Sequence, residues 1–259
     1  MGNSEEFRIK DSGPPPIFPP QSRSLYSDIK YYLLHKPAIP TLISFSRSAD
    51  RKNYSNRIMQ RLHIDVGQYS ILNIHKIGIN APARYVFEEL LKWDHDSLCW
   101  PNHIATVGRI DGQLDHIEIF LFGMKKHFFG SKKGLLGLNF IPLFNLDAIR
   151  FQHAPEPWSV DNGRYLLYQC SGGYPIGIFA VYVRSPIRDE GEIEKAQLFL
   201  TVSFNFYGSR DWSDNPVVNY TWEMIHNRVT ANVMNRIKQV CEAQFLETME
   251  GLNEDSTPQ

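Results

Sequence analysis

The sequence is poor in cysteine, and this scarcity excludes two classes of protein. Three cysteines, Cys99, Cys170 and Cys241, lie far apart among 259 residues and form no CxxC pair. An odd number of widely spaced cysteines argues against a disulfide framework and against a zinc site, and favours reduced thiols in a cytosolic compartment. We therefore expect a cytoplasmic protein with no metal ion and no cofactor.

Long apolar runs and excess charge are also lacking. No run approaches the about 18 consecutive apolar residues that a transmembrane helix needs, and residues 1–6 lack the basic and apolar regions of a signal peptide. Lysine and arginine number 27 against 28 aspartates and glutamates, so no overall field attracts nucleic acid or an anionic membrane. We expect a soluble protein that does not bind nucleic acid.

The familiar catalytic signatures are missing as well. No HExxH, GxSxG or GxGxxG pattern occurs, and Gly134 to Gly137 lacks the Lys-Ser/Thr pair of a phosphate-binding loop. The nine histidines are scattered without the spacing of metal ligands. These absences favour a binding protein over an enzyme.

The clearest positive feature is a long amphipathic segment, residues 216–252. Its apolar residues recur at steps of three and four, which places them on one stripe of a helix. Pro216 predicts the first turn, and Gly251 predicts the end of the helix. The stripe comprises Trp222, Ile225, Val229, Val233, Ile237 and Val240. Such a helix is long enough to cross a whole small domain.

Ahead of this helix, short alternating segments predict strands. Asp111-Gly112 and Gly172-Gly173 are typical of the tight turns that join neighbouring strands. Because the connections are short, we expect an antiparallel sheet. The predicted strands cover residues 69–79, 105–110, 114–123, 164–171, 176–184 and 196–207, and a short helix begins after Asn80-Ala81-Pro82.

Composition divides the chain into four parts. Residues 1–24 are rich in proline and polar residues, which predicts a flexible arm. Residues 25–68 contain aromatics at helical spacing, which predicts an extension packed on the main domain. The main domain is expected at residues 69–250, and residues 251–259 are expected to form a flexible tail.

The order of these elements resembles that of a known superfamily. The segment Ile77-Gly78-Ile79-Asn80-Ala81-Pro82-Ala83-Arg84-Tyr85-Val86-Phe87 follows the first strand, Trp100 precedes the second, and the long helix comes last. This pattern is similar to that of the helix-grip superfamily, which includes START lipid-transfer domains, the major birch pollen allergen and polyketide cyclases. The resemblance covers about residues 69–250. It implies an α+β fold in which a curved antiparallel sheet wraps around the C-terminal α-helix, with a cavity between them.

Two polar residues lie at the edge of the apolar stripe of the long helix. His226 and Thr230 are four residues apart, so they should face the sheet together with Val229, Val233 and Ile237. A buried polar side chain costs about 1 to 3 kcal/mol unless it is hydrogen-bonded. His226 is therefore either a core histidine satisfied by the sheet or a residue that orients a ligand at the cavity wall.

Several strand residues could reach the same cavity. Tyr168 and Tyr182 could orient a carbonyl or hydroxyl group, and Arg184 could hold a carboxylate or phosphate, as could Arg150 near the start of a further strand. An error of one residue in register would turn each side chain outward. For the two arginines, the outward position is the favoured interpretation.

A basic and apolar segment at residues 124–144 differs from its surroundings. Its notable residues are Lys125, Lys126, Phe128, Phe129, Lys132 and Lys133. The favoured interpretation is a basic turn between two strands, and the alternative is a loop in transient contact with a membrane surface.

The functional expectation is binding, and with it transfer, of a hydrophobic small molecule or lipid between sheet and helix. Because members of the superfamily bind sterols, phospholipids, hormones or polyketides, and some catalyse cyclisation or hydrolysis, the fold alone does not choose among them. One alternative is a cyclase- or hydrolase-like enzyme with His226 as general base. Another is a structural domain whose own side chains fill the cavity.

Overall fold

The computed structural model describes residues 24–61, 71–91, 99–101, 105–109, 116–121, 144–152, 163–170, 176–185, 195–204 and 216–254. The helices are α1 (Leu25–Asp28), which continues into a π-helical turn at Ile29–Leu34, then α2 (Ser48–Arg61), α3 (Ala83–Leu91) and α4 (Pro216–Glu254). The strands are β1 (Ile71–Ile79), β2 (Ala105–Arg109), β3 (His116–Leu121), β4 (Phe144–Gln152), β5 (Arg164–Cys170), β6 (Ile176–Arg184) and β7 (Ala196–Phe204).

The strands form one antiparallel sheet in the order β1-β7-β6-β5-β4-β3-β2. Consecutive strands pair with each other from β2 to β7, and the first strand returns to pair with the last. Together with the long terminal helix α4, this order gives the helix-grip arrangement, so the predicted α+β fold and the antiparallel sheet are confirmed.

The core lies between the sheet and the two helices α3 and α4. Alternate residues of β6 and β7 face it, among them Val181 and Leu198, and both are fully buried. From α4 it receives Val233, Met234 and Ile237. Burying one such aliphatic side chain contributes about 1.5 to 3 kcal/mol, so this contact dominates the stability of the domain.

Helix α4 runs alongside β1, and polar contacts fix the two elements at both ends. Toward its N-terminal half, Asn227 accepts a hydrogen bond of 3.0 Å from the Asn73 amide. Toward the other end, the Lys238 ammonium group donates to the Gly78 carbonyl at 3.0 Å, and the Glu242 carboxylate accepts from the Asn80 backbone N–H at 2.7 Å. Positions near each end of β1 therefore lie beside defined turns of α4.

The middle of α4 is buried on all sides. All eight residues from 230 to 237 are buried, which is unusual for a helix that covers only one face of a sheet. The side opposite the sheet is covered by the N-terminal segment. There the Asn232 amide donates to the carbonyls of Tyr32 and His35 at 2.9 and 3.0 Å, and Asn235 exchanges two hydrogen bonds with the backbone of Ile39.

The same N-terminal segment protects the edge of the sheet at β1. The backbone N–H of Ile43 donates to Ile74, and that of Lys76 donates to Thr41, at 2.9 and 2.8 Å. These bonds add a short extended segment outside β1, with an isolated bridge between Leu42 and His75. An exposed edge strand can pair with other chains, so this cover removes one such edge.

The structure corrects two boundaries predicted from the sequence. Helix α4 does not end at Gly251 but continues to Glu254, because one glycine costs only about 1 kcal/mol in a helix that packing already stabilises. A further strand was expected to start near Arg150, whereas β4 spans Phe144–Gln152 and Arg150 lies near its end. Helix α2 spans Ser48–Arg61, within the part predicted as an extension at residues 25–68.

Some predictions concern parts of the chain outside the described residues. These are the arm up to residue 23, the boundary at residue 68 and the tail from residue 255. No helix among the residues described above is long and apolar enough to cross a membrane.

Candidate functional site

The sheet-facing stripe of α4 carries the two polar residues singled out in the sequence. Thr230 is buried, and His226 is partly buried with its ring 4.5 Å from the ring of Trp222 in an edge-to-face arrangement. Val229 packs against the hydrophobic core, and Val233 and Ile237 belong to it. The stripe therefore has an apolar half toward its C-terminus and a more polar, aromatic half around His226.

Burial governs the protonation of His226. Desolvation by burial lowers the pKa of His226 from 6.5 to about 4, since the surroundings disfavour the charged imidazolium. The imidazole is therefore neutral at neutral pH. In that form it carries one hydrogen-bond donor and one acceptor on an otherwise apolar wall.

The strand register shows which sheet positions lie under this part of α4. One row across the helix-facing side of the sheet consists of Asn73, Val202, Phe179 and Tyr168. Because Asn73 contacts Asn227, this row passes beneath the turn of α4 that contains His226. The Trp100 ring packs edge-to-face on Phe179 at 6.5 Å. This end of the space between helix and sheet is therefore rich in aromatic residues.

Of the four strand residues named as candidates for the cavity, Tyr168, Tyr182, Arg184 and Arg150, only Tyr168 lies at a helix-facing position. It pairs with Phe179 and shares its side of β5 with the buried Leu166. The side chain of Tyr168 is not among those that the structure describes.

The prediction that Tyr182 lines the cavity is wrong, and Arg184 takes the outward position that was the favoured interpretation. Val181 and Val183 belong to the core, and neighbouring strand residues alternate between faces, so both side chains lie on the opposite face of β6. Tyr182 packs against Phe199 and closely covers Gly163, where an added Cβ would lie 2.5 Å from the tyrosine hydroxyl. This is the one-residue difference in register that the sequence left open.

The Arg184 guanidinium has partners within the protein on the outer face of the sheet. Its guanidinium donates to the Gln197 side chain at 3.0 Å and lies 5.2 Å from the centre of the Phe199 ring. Lys76 approaches the same ring at 5.7 Å. These residues form a cation–π cluster on the outer face of the sheet.

A buried arginine on the inner face was not predicted. Arg164 pairs with Val183 in the sheet, so it shares the helix-facing side of β5 with Leu166, and only 2% of it is exposed. Arginine is almost never fully buried without a partner. An alternation count along β5 from Leu166 would have placed Arg164 on the inner side.

Two further expectations from the sequence concern the basic segment and metal binding. The lysine- and phenylalanine-rich segment, Lys125, Lys126, Phe128, Phe129, Lys132 and Lys133, is outside the described residues. Within the described ranges, no group of three or more histidine, cysteine, aspartate or glutamate side chains could hold a metal ion.

A second polar cluster, absent from the sequence-based predictions, connects the N-terminal segment, β1 and α4. We call it the His75 network; it comprises Thr41, Arg51, Asn73, His75, Glu223 and Asn227. The His75 ring lies 2.8 Å from the Thr41 hydroxyl and 3.0 Å from the Asn227 side-chain oxygen. Thr41, Asn73 and His75 are each at most 3% exposed.

Arg51 sets the direction of every hydrogen bond in the His75 network. A guanidinium only donates, so the Asn73 oxygen must face Arg51 and the Asn73 amide must donate onward to the Asn227 oxygen. The same oxygen then accepts from Nε2–H of His75. Nδ1 of His75 is consequently the acceptor for the Thr41 hydroxyl, which fixes a neutral imidazole in one tautomer.

Burial also lowers the pKa of His75, from 6.5 to about 4, and the hydrogen bond with Asn227 offsets part of this shift. Arg51 and Glu223 form an ion pair at 3.3 Å at the open end of the network. The His75 network is thus a neutral, fully directed connection among three parts of the chain.

No protein-family model matches the sequence, and no curated protein matches it either. Among solved structures, an aromatase/cyclase from a Streptomyces species is 16% identical, covers 66% of this chain and 91% of its own length, and has a TM-score of 0.38. A point mutant of norcoclaurine synthase from Thalictrum flavum, in complex with a transition-state analogue, is 9% identical with a TM-score of 0.42, over 70% of this chain and 99% of the synthase. A conserved protein from Geobacillus kaustophilus is 15% identical with a TM-score of 0.35, over 64% and 95% of the two chains.

These likenesses are distant, and the assignment of the helix-grip fold rests on the strand order and on α4. Neither a ligand nor a reaction passes to this chain from similarities at this level.

Proposed function

We propose that this protein binds a hydrophobic small molecule or lipid between the sheet and α4, with His226 and Thr230 orienting the polar group of the ligand. The observation that carries the proposal is the position of this polar pair on the sheet-facing stripe of α4, beside Trp222. Ligand sites are mostly apolar, with a few polar groups that set orientation, and the stripe has this composition.

The neutral state of His226 favours binding over catalysis. A general base works best when the pKa of its conjugate acid lies near the working pH, whereas the pKa of His226 is about 4. At neutral pH such an imidazole has an unprotonated acceptor nitrogen, but it is a weak base and takes a proton from a substrate inefficiently. It remains a good hydrogen-bond partner for a hydroxyl, amine or carbonyl group.

The proposal is tested with 1-aminoanthracene, a neutral fluorophore whose emission rises in apolar surroundings. Titration of the full chain should give a saturable rise in emission. His226→Ala should weaken the affinity about 3- to 10-fold, as expected for the loss of one hydrogen bond. His35→Ala removes an exposed histidine side chain and should leave the affinity unchanged.

Two outcomes would count against this function. Emission that never saturates would show that no defined apolar site exists. Binding that survives in His226→Ala, together with loss of a turnover detectable in the parent chain, would instead identify an enzyme that uses His226 as a base.

A further inference from the structure

A cleft separate from the space between sheet and α4 lies beside the His75 network. It has a volume of about 200 Å³ and is bounded by residues 42–45, α2, β1 and the first turns of α4. Its lining is partly apolar, with Leu42, Phe45 and Ile74. Arg51, Ser55 and Asn73 form the polar wall of the cleft.

The polar wall is rigid and has no net charge. Asn73 is 2% exposed and is held by Arg51 on one side and by Asn227 on the other. The positive charge of Arg51 is compensated by Glu223, 3.3 Å away at the rim of the cleft. A ligand with a carboxylate or phosphate would have to displace Glu223, and a cationic ligand would compete with Arg51, so the wall suits a neutral molecule.

Ser55 supplies a hydrogen-bonding group that points to a ligand. The residue is only 5% exposed and lines the cleft. In the part of the chain that the structure describes, its hydroxyl has no hydrogen-bond partner. The Ser55 hydroxyl oxygen is not among the described buried polar atoms that lack a partner, so solvent reaches it, and a ligand hydroxyl or amide would replace its hydrogen bond to water.

We infer that this cleft is a second binding site, for a small neutral molecule with one ring or a short aliphatic chain and a single hydroxyl or amide group. The polar group would bond to Ser55, and the apolar body would pack on Phe45 and Ile74. A cavity of about 150 Å³ holds benzene, so a volume of about 200 Å³ accommodates a ring with one or two substituents.

The test uses p-cresol as the probe and the amide spectrum of the isotope-labelled full chain as the readout. We expect saturable shifts at Ile43 and Ile74 at up to about 10 mM p-cresol, the range for a fragment of this size. The anion p-toluate, which has the same ring and methyl group, should bind at least 5-fold more weakly, by roughly 1 kcal/mol.

Three variants distinguish binding in this cleft from binding elsewhere on the protein. Ser55→Ala deletes the hydroxyl and keeps the space, so p-cresol should bind about 3- to 10-fold more weakly while toluene is unaffected. Ser55→Leu fills the cleft and should abolish binding of both. Asn53→Leu places the same side chain on the exposed side of α2 and should change neither. Thermal melting of each variant shows whether it is folded.

The inference is overturned if no shift saturates by about 10 mM, if Ser55→Leu binds p-cresol like the parent chain, or if p-toluate binds more tightly. Shifts centred on Val233 rather than on Ile43 would place the probe between sheet and α4. That result would overturn the second site without touching the proposed function. If Ser55→Leu does not fold, the comparisons with Ser55→Ala and p-toluate still decide.

Discussion

His226 lies on α4 and His75 on β1, and these two neutral histidines have different surroundings. His75 has a protein partner on each ring nitrogen, Thr41 and Asn227, so its hydrogen-bonding capacity is used within the fold. His226 lies against Trp222 on the stripe that faces the sheet. We assign a structural role to His75, whereas a ligand-orienting role for His226 is part of the proposed function.

Both histidines make stability depend on pH in the same direction. In the unfolded chain a histidine takes up a proton near pH 6.5, whereas in the folded protein each does so only near pH 4. The unfolded state therefore binds more protons in this window, and stability falls as the pH drops from about 6.5 to about 4. The buried His75 alone accounts for up to about 3 kcal/mol.

Urea unfolding at a series of pH values measures this effect. His75→Gln removes one titrating group, so the loss of stability between about pH 6.5 and pH 4 should be smaller than that of the parent chain by up to about 3 kcal/mol. His35→Gln, at an exposed position, should keep the full dependence. An unchanged slope in His75→Gln would contradict the low pKa assigned to His75.

At the scale of elements, α4 is the common wall of both proposed sites. Its sheet-facing side carries His226, its β1-facing side carries Glu223 and Asn227, and its remaining side carries Asn232 and Asn235. A helix with three occupied sides is held in a fixed position. This rigidity suits a wall that has to present polar groups to a ligand.

The N-terminal segment should separate from α4 when the asparagine contacts are removed. Asn235→Ala deletes two part-buried hydrogen bonds to the Ile39 backbone and the buried bond from the Asn235 amide to the Ala231 carbonyl, so we expect a loss of about 1 to 3 kcal/mol in unfolding free energy. Hydrogen exchange at the Ile39 amide should accelerate more than exchange in β7. Glu247→Ala, on an exposed part of α4, is the control.

Equal acceleration at Ile39 and throughout β7 would show that the segment and the domain unfold together. Unchanged exchange at Ile39 would show that Asn235 does not hold the segment.

Sequence patterns located the elements well but assigned faces less well. The stripe of α4 follows from spacing alone, because Val233 and Ile237 repeat with the period of a helix. In β1, Ile74 and Ile77 are both buried but lie on opposite faces, and the polar Asn73 and His75 point toward α4. Ile74 is 3% exposed although it lies on the face opposite Ile77, so apolar residues do not mark a single inner face of β1.

For the whole molecule, the sequence predicted the helix-grip fold from element order and one motif, and the structure confirms it. The His75 network could not be predicted from the sequence, because its bonds join residues separated by as many as 172 positions, as between Arg51 and Glu223. No local period records such contacts. The inward position of Arg164 could have been deduced, whereas the outward position of Tyr182 needed the register of β6 against β7.

The central claim is that a hydrophobic ligand occupies the space between the sheet and α4. Native mass spectrometry of the purified full chain, followed by organic extraction, tests it when the parent is compared with two tryptophan variants. Val229→Trp places bulk on the half-buried, sheet-facing stripe, whereas Val217→Trp places the same bulk at a position that is 71% exposed. The account predicts a ligand adduct on the parent and on Val217→Trp and its loss from folded Val229→Trp. A parent chain that carries no adduct and binds no member of a lipid panel, or a Val229→Trp variant that retains the adduct, would contradict it.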